Sequence, residues 1–158
     1  MPEPRTIEAL LAELAAFQGL DPGFRELIAG CGSNRGFDSD EHLFQEGDPA
    51  DSFFVVRRGR VSLELFVPGR GTVMIATLGP GELVGWSWLF PPYRWQFDAR
   101  AIEPTRTIDF DGACLRGKCE EDHHLGYELM RRFASDMLER LQSTRVQMLD
   151  VYGREPVG

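Results

Sequence analysis

Between residues 31 and 110 the apolar residues come in short runs, each stopped by glycine, proline or aspartate. Phe53-Phe54-Val55-Val56 is one such run, and Gly59 ends it. Val61, Leu63, Leu65 and Val67 then alternate with Ser62, Glu64 and Phe66, the period of two expected of a strand. Pro68-Gly69-Arg70-Gly71 reads as a turn, Val73 to Leu78 as the returning strand, and Gly79-Pro80-Gly81 as the next break. Further strands are predicted near Phe97–Ala101 and Arg106–Phe110. Strands this short, with turn signals roughly every 8–12 residues, point to an antiparallel roll, barrel or sandwich.

Helical periodicity flanks this region on both sides. Thr6 is placed to cap a helix whose apolar positions are Ile7, Leu10, Leu11, Leu14 and Phe17. A second short helix is predicted from Asp21-Pro22, with Leu27 and Ile28 on its apolar face and Gly30 as its stop. After the strands, Asp111 is placed to cap a short helix through Leu115, and a longer helix is predicted from His124 to Tyr152. Met130, Met137, Thr144 and Val151 fall in one heptad column of that helix, and Ala134, Leu141 and Met148 in the other. This seam predicts a homodimer through the C-terminal helix. Leu125, Leu129, Phe133 and Leu138 are left to pack against the roll of their own chain. The organisation is one domain over residues 1–153, with helices at 6–30, strands at 31–110, C-terminal helices at 111–153 and a flexible tail at 154–158.

Composition excludes several classes. The net charge is −8, and an acidic chain repels phosphate backbones, so direct nucleic-acid binding is not expected. No stretch approaches the ~20 apolar residues of a membrane span, and the N-terminus has no signal-peptide pattern. Cys31, Cys114 and Cys119 are an odd number without a CxxC spacing, which predicts free thiols and a cytoplasmic protein. No metal site is expected. A cupin-type site needs a His-x-His and a distant His on strands, but His42 stands alone. His123-His124 opens a helix, where neighbours point about 100° apart. No Gly-x-Ser-x-Gly or P-loop is present, so no catalytic residue is nominated and the chain is expected not to be an enzyme.

The segment Phe44-Gln45-Glu46-Gly47-Asp48-Pro49-Ala50-Asp51-Ser52-Phe53-Phe54-Val55-Val56, followed by Gly59-Arg60-Val61, resembles the core of cyclic-nucleotide-binding domains of the catabolite-activator (Crp-Fnr-like) type. Gly47 and Gly59 permit backbone angles that other residues resist, and Asp48 and Asp51 are expected to bond backbone amides in the turn. Glu139-Arg140-Leu141-Gln142-Ser143-Thr144-Arg145 is similar to the dimer-helix segment of the same proteins, where the residue matching Thr144 faces the ligand base and the next position, Arg145 here, carries a hydroxyl. The resemblance implies an α+β fold. An antiparallel, jelly-roll-like β-roll (a double-stranded β-helix) is flanked by short N-terminal helices and a long C-terminal dimerisation helix.

In that family a phosphate-binding cassette begins Gly-Glu and ends in Arg before a small or hydroxylated residue. The Glu accepts from the ribose, and the Arg and backbone amides neutralise the cyclic phosphate. Here Gly85 falls at the glycine, Trp86 at the Glu, Trp95 at the Arg with Arg94 beside it, and Gln96 at the hydroxyl position. A register with Gly81-Glu82 as the opening pair requires a longer cassette. Hydrogen bonds to charged groups contribute about 1.5–3 kcal/mol each. Losing two weakens binding by roughly two to four orders of magnitude, so cyclic AMP is expected to bind weakly or not at all.

Trp86, Trp88, Phe90, Tyr93, Trp95 and Phe97 crowd this segment, which holds every tryptophan of the chain. They are read either as packing that closes the pocket, or as a pocket retuned for a flat or apolar ligand with Arg94 as anchor and Ser87, Gln96 and Thr144 as polar contacts. A third reading is an exposed patch for a protein partner. The expectation is a non-catalytic, homodimeric regulatory domain with a departed nucleotide pocket, no DNA-binding domain and no cofactor beyond weakly bound cyclic nucleotide or another small ligand. The alternatives are an assembly module filled by its own tryptophans and a cyclic AMP regulator using Arg94.

Overall fold

The strand pattern folds as an eight-stranded roll in the computed structural model, which describes residues 6–154, with side chains through residue 143. Two helices, α1 (Ile7–Glu13) and α2 (Pro22–Ala29), lead into strands β1 (Gly32–Phe37), β2 (His42–Phe44), β3 (Ser52–Arg58), β4 (Val61–Val67), β5 (Gly71–Leu78), β6 (Leu83–Val84), β7 (Asp98–Ala101) and β8 (Thr105–Asp111). Helices α3 (Gly112–Glu121) and α4 (His123–Arg154) complete the chain. One antiparallel sheet has the order β1-β8-β3-β6 and the other β2-β7-β4-β5. The flanked β-roll is the α+β architecture expected from the sequence.

The caps act as their chemistry dictates. Thr6 accepts from the Ala9 amide, Asp21 from Gly23 and Asp111 from Cys114. The first helix is shorter than its periodicity predicts. Leu14 is extended, and Ala15–Phe17 form a separate 3-10 turn that delivers Phe17 to the core.

The run Phe53-Phe54-Val55-Val56 is buried on both sides. Phe53 and Val55 join Ile108, Phe110 and Leu83 in a core under the helices, where Leu11, Phe17, Ile28, Leu115, Leu125, Leu129 and Phe133 cover them. Phe54 and Val56 face into the roll against Phe44, Val61, Leu63, Leu78 and Ala99. Of the four residues assigned to hold α4 on its own roll, Leu125, Leu129 and Phe133 do so, whereas Leu138 is more than half exposed.

Within the second sheet, the Arg100 guanidinium grips the Glu64 carboxylate through two hydrogen bonds of 2.9 Å. That bond holds Glu64 below the usual carboxylate range although burial pushes the other way.

Two expectations are corrected. Asp48 and Asp51 take part in their turns through backbone carbonyls, which accept from the Trp95 and Gly112 amides. Their carboxylates make no hydrogen bond among the described residues. The cysteines are not all free: Cys31 and Cys114 form a disulfide across 83 residues of sequence, with Cα atoms 5.9 Å apart, and only Cys119 is a thiol. A spacing rule sees neighbours in sequence, and this pair meets only because β1 and α3 are both anchored on β8. The bridge removes the sequence argument for a reducing compartment. No described helix is long and apolar enough to cross a membrane.

The bridge ties the N-terminal helices to α3 and closes a long loop of the unfolded chain. Replacing both Cys31 and Cys114 by serine should therefore lower stability by about 2–5 kcal/mol. For a domain of this size that is a fall of roughly 5–15 °C in Tm. Thermal melts with and without dithiothreitol check this. The wild type should drop on reduction, and the double variant should not respond.

Candidate functional site

The site lies where the chain leaves β6. Leu83 points to the helical core and Val84 into the roll, which fixes the direction in which the next residues emerge. Gly85 then turns with φ +95°, a region that favours glycine. Its second constraint is steric: a Cβ there would stand 2.6 Å from the Trp95 ring. Trp95 is buried and stacked on Phe44, with ring centroids 3.6 Å apart. A 3-10 turn, Ser87–Leu89, places Trp88 in the helical core between Phe53 and Phe133. Its indole N–H has no hydrogen-bond partner there. The Trp88 carbonyl accepts from Arg116 of α3 at 2.6 Å, and the same guanidinium lies over the Tyr93 ring. Residues 93–95 are zipped to the turn at Gly47–Ala50. The Trp95 amide donates to the Asp48 carbonyl, the Ala50 amide to Tyr93 and the Gly47 amide to Trp95.

These anchors leave an open groove of about 680 Å³ between the roll and α4. Leu63 and Ile75 form its roll side, Trp86, Phe90 and Phe97 its cassette side, and Met130, Ala134, Met137, Leu138 and Leu141 its helix side. Arg140 is the charged residue in this lining. It lies 5.0 Å from the Trp86 ring centroid and donates to the Leu83 carbonyl and to Asp136. Burial pushes the Asp136 carboxyl above its ordinary range, and the charge of Arg140 opposes that shift.

The nominated residues separate. Trp86 lines the groove, and Gly85 makes the turn just before it without lining the groove itself. Ser87 is buried, Trp95 is part of the roll core, and Gln96 is exposed and donates to the Arg94 carbonyl. The Arg94 side chain reaches the Gly47 carbonyl at 3.3 Å, and Arg94, Ser87, Trp95 and Gln96 are all absent from the groove lining. Met130, Ala134, Met137 and Leu141 of the heptad seam line the groove, while the side chains of Thr144, Arg145, Met148 and Val151 lie outside the described residues. His42, His123 and His124 are exposed, and no cluster of metal-ligating side chains occurs among the described residues. Phe90 and Phe97 of the aromatic cluster line the groove, whereas sequence reasoning missed Arg140, Leu63 and Ile75 as wall residues. The four-residue spacing of Asp136 and Arg140 was the available signal for a held guanidinium.

A roll with a glycine-led cassette and a long C-terminal helix has counterparts among known domains. A family model described as cyclic nucleotide-binding domain matches residues 34–122. A protein of Geobacter metallireducens described as cyclic nucleotide-binding is 31% identical at a TM-score of 0.76, over 87% of this chain and 99% of that one. The Thermus thermophilus catabolite activator protein has a TM-score of 0.68 and 24% identity over 87% of this chain and 62% of its own. The CRP-like cAMP-activated global transcriptional regulator of Mycobacterium tuberculosis is 23% identical over 145 residues, 92% of this chain and 63% of its own length. This chain thus spans less than two thirds of the curated relatives it matches. The chain belongs to the cyclic nucleotide-binding domain family.

The contact between Gly85 and Trp95 is testable. Gly85→Ala adds a methyl group where none fits and strains a left-handed backbone, so stability should fall by about 2–4 kcal/mol. Urea unfolding followed by tryptophan fluorescence measures the loss.

Proposed function

We propose that this chain is a non-catalytic regulatory domain whose groove binds a flat or apolar small ligand instead of a cyclic nucleotide, and that it acts as a homodimer through α4. The observation that carries the reading is the fate of the two anchor positions. Trp86 stands in the wall where the resemblance places the ribose acceptor, and Trp95 is packed away on Phe44 where it places the phosphate arginine. Arg94 does not replace it, because its guanidinium turns to the Gly47 carbonyl. The self-filled alternative is weakened because Trp88 and Trp95 sit in the two cores and Trp86 leaves the groove open. An apolar wall with a single guanidinium favours a hydrophobic ligand with one acidic or hydrogen-bonding group. Arg140 takes the anchoring role that the sequence assigned to Arg94.

Calorimetric titration with cyclic AMP and cyclic GMP should give no binding up to millimolar concentration. Anilinonaphthalene sulfonate, an aromatic anion, should bind in the micromolar range and lose that binding in Ile75→Glu, which places a charge in the roll wall. Micromolar binding of either cyclic nucleotide overturns the reading.

The dimer is supported by the exposure of Met130 and Leu141, at 41% and 57%, on the heptad face of α4. The protein should sediment as a dimer at tens of micromolar, and Leu141→Glu should shift it to monomer. A monomeric wild type at that concentration overturns the assignment.

A further inference from the structure

At the ends of β3 and β8, three arginines stand together, without an acid beside them among the described residues. Arg57, Arg58 and Arg106 line a concavity of about 330 Å³. A register irregularity between Val56 and Arg58 breaks the alternation of β3, and Arg58 becomes the direct cross-strand partner of Arg106. Like charges placed opposite each other in a sheet are destabilising. Elsewhere the chain pairs its strand arginines, Arg35 with Asp109 and Arg100 with Glu64 and Asp40. Here, among the described residues, no carboxylate comes within ion-pair distance of the three. Arg57 donates to the neutral Asn34 side chain at 2.5 Å. In a chain with a net charge of −8, none of the described carboxylates thus compensates this like-charge pair.

The frame beneath it is rigid. Gly59 has φ +97°, and a Cβ there would collide with Thr105 and the Pro104 carbonyl. The buried Thr105 hydroxyl lies 2.8 Å from the Glu103 carbonyl and 3.2 Å from the Arg60 carbonyl, which also accepts from the Ile102 amide. The two turns are locked together at the backbone, and the three exposed arginine side chains project from this fixed frame.

We infer that Arg57, Arg58 and Arg106 form a phosphate-binding site that takes a di- or triphosphate group. Guanidinium forks match the oxygens of phosphate and bind them in pairs. A compact polyphosphate brings several negative charges into one concavity and offsets the repulsion between Arg58 and Arg106. The acidic remainder of the chain disfavours an extended polyanion. The site shares no lining residue with the apolar groove, so its ligand is a second one.

The test is titration of the protein with inorganic pyrophosphate and tripolyphosphate, followed by calorimetry at constant ionic strength, with sulfate as the control. Submillimolar binding is expected for tripolyphosphate and none for sulfate. Arg58→Gln and Arg106→Gln should each weaken it about tenfold or more. The unliganded double variant should melt at or above the wild-type temperature because the repulsion is gone. Ile75→Glu, in the groove, should leave tripolyphosphate binding unchanged. Vesicles of phosphatidylcholine with and without a polyphosphorylated headgroup separate the two sources of such a ligand. Binding to free tripolyphosphate but not to vesicles assigns a soluble ligand, and co-sedimentation with the phosphorylated vesicles assigns a lipid. Equal responses to sulfate and tripolyphosphate, or unchanged affinity in both arginine variants, overturn the site.

Discussion

Everything in this fold depends on β3 being buried on both faces. Phe53 and Val55 are covered by the helices, and Phe54 and Val56 by the opposite sheet. Full burial of such a side chain contributes about 1.5–3 kcal/mol, so these four residues together match a large part of a domain's net stability. Neither layer can be displaced without exposing one pair. The roll and the helices therefore act as one body, and β6 repeats the device with Leu83 and Val84.

The cassette inherits that two-sidedness. Trp88 goes outward to stack on Phe53, and Trp95 goes inward to stack on Phe44. Between these two anchors the segment has little freedom, and Arg116 fixes it further through the Trp88 carbonyl and the Tyr93 ring. Trp86 is held differently, at the wall between Phe97 and Arg140. Three tryptophans, at positions 86, 88 and 95, thus reach two different cores and a groove, which is why their clustering in sequence did not decide among the readings open for them.

Strands with internal contrast were legible in the sequence. The period of two in β4 and the unbroken apolar run of β3 both report burial directly. β1, β2 and β6 were not legible. Gly32–Phe37 is an edge strand whose side chains are mostly exposed, while His42–Phe44 and Leu83–Val84 are too short to carry a period. The site was legible only in part for a related reason. Gly85 and Trp86 belong to a local motif, but the groove is made by α4 crossing the roll, and no local pattern brings Arg140 to Trp86. The disulfide had the same character, since Cys31 and Cys114 meet through β8. Arg94 and Trp95 show the limit most sharply. Neighbouring residues on an extended segment point to opposite sides, so the indole took the interior and the guanidinium the outside.

The helix side of the groove and the heptad seam use the same residues, Met130, Ala134, Met137 and Leu141. A ligand in the groove and a partner helix on the seam would therefore touch one face of α4. A ligand shifts a conformational equilibrium only by its difference in affinity for the two states. In the proposed dimer that difference has an evident source. The apolar area available to the ligand depends on how α4 lies over Leu63 and Ile75, and the area available to the partner helix depends on the same placement. Arg140 links this to the cassette, because its guanidinium spans the Leu83 carbonyl, Asp136 and the Trp86 ring. A movement of α4 along its axis must break those bonds or carry the cassette with it. Trp88 and Trp95 hold the cassette in two cores, so in the proposed dimer Arg140 ties the placement of α4 to a firmly anchored cassette.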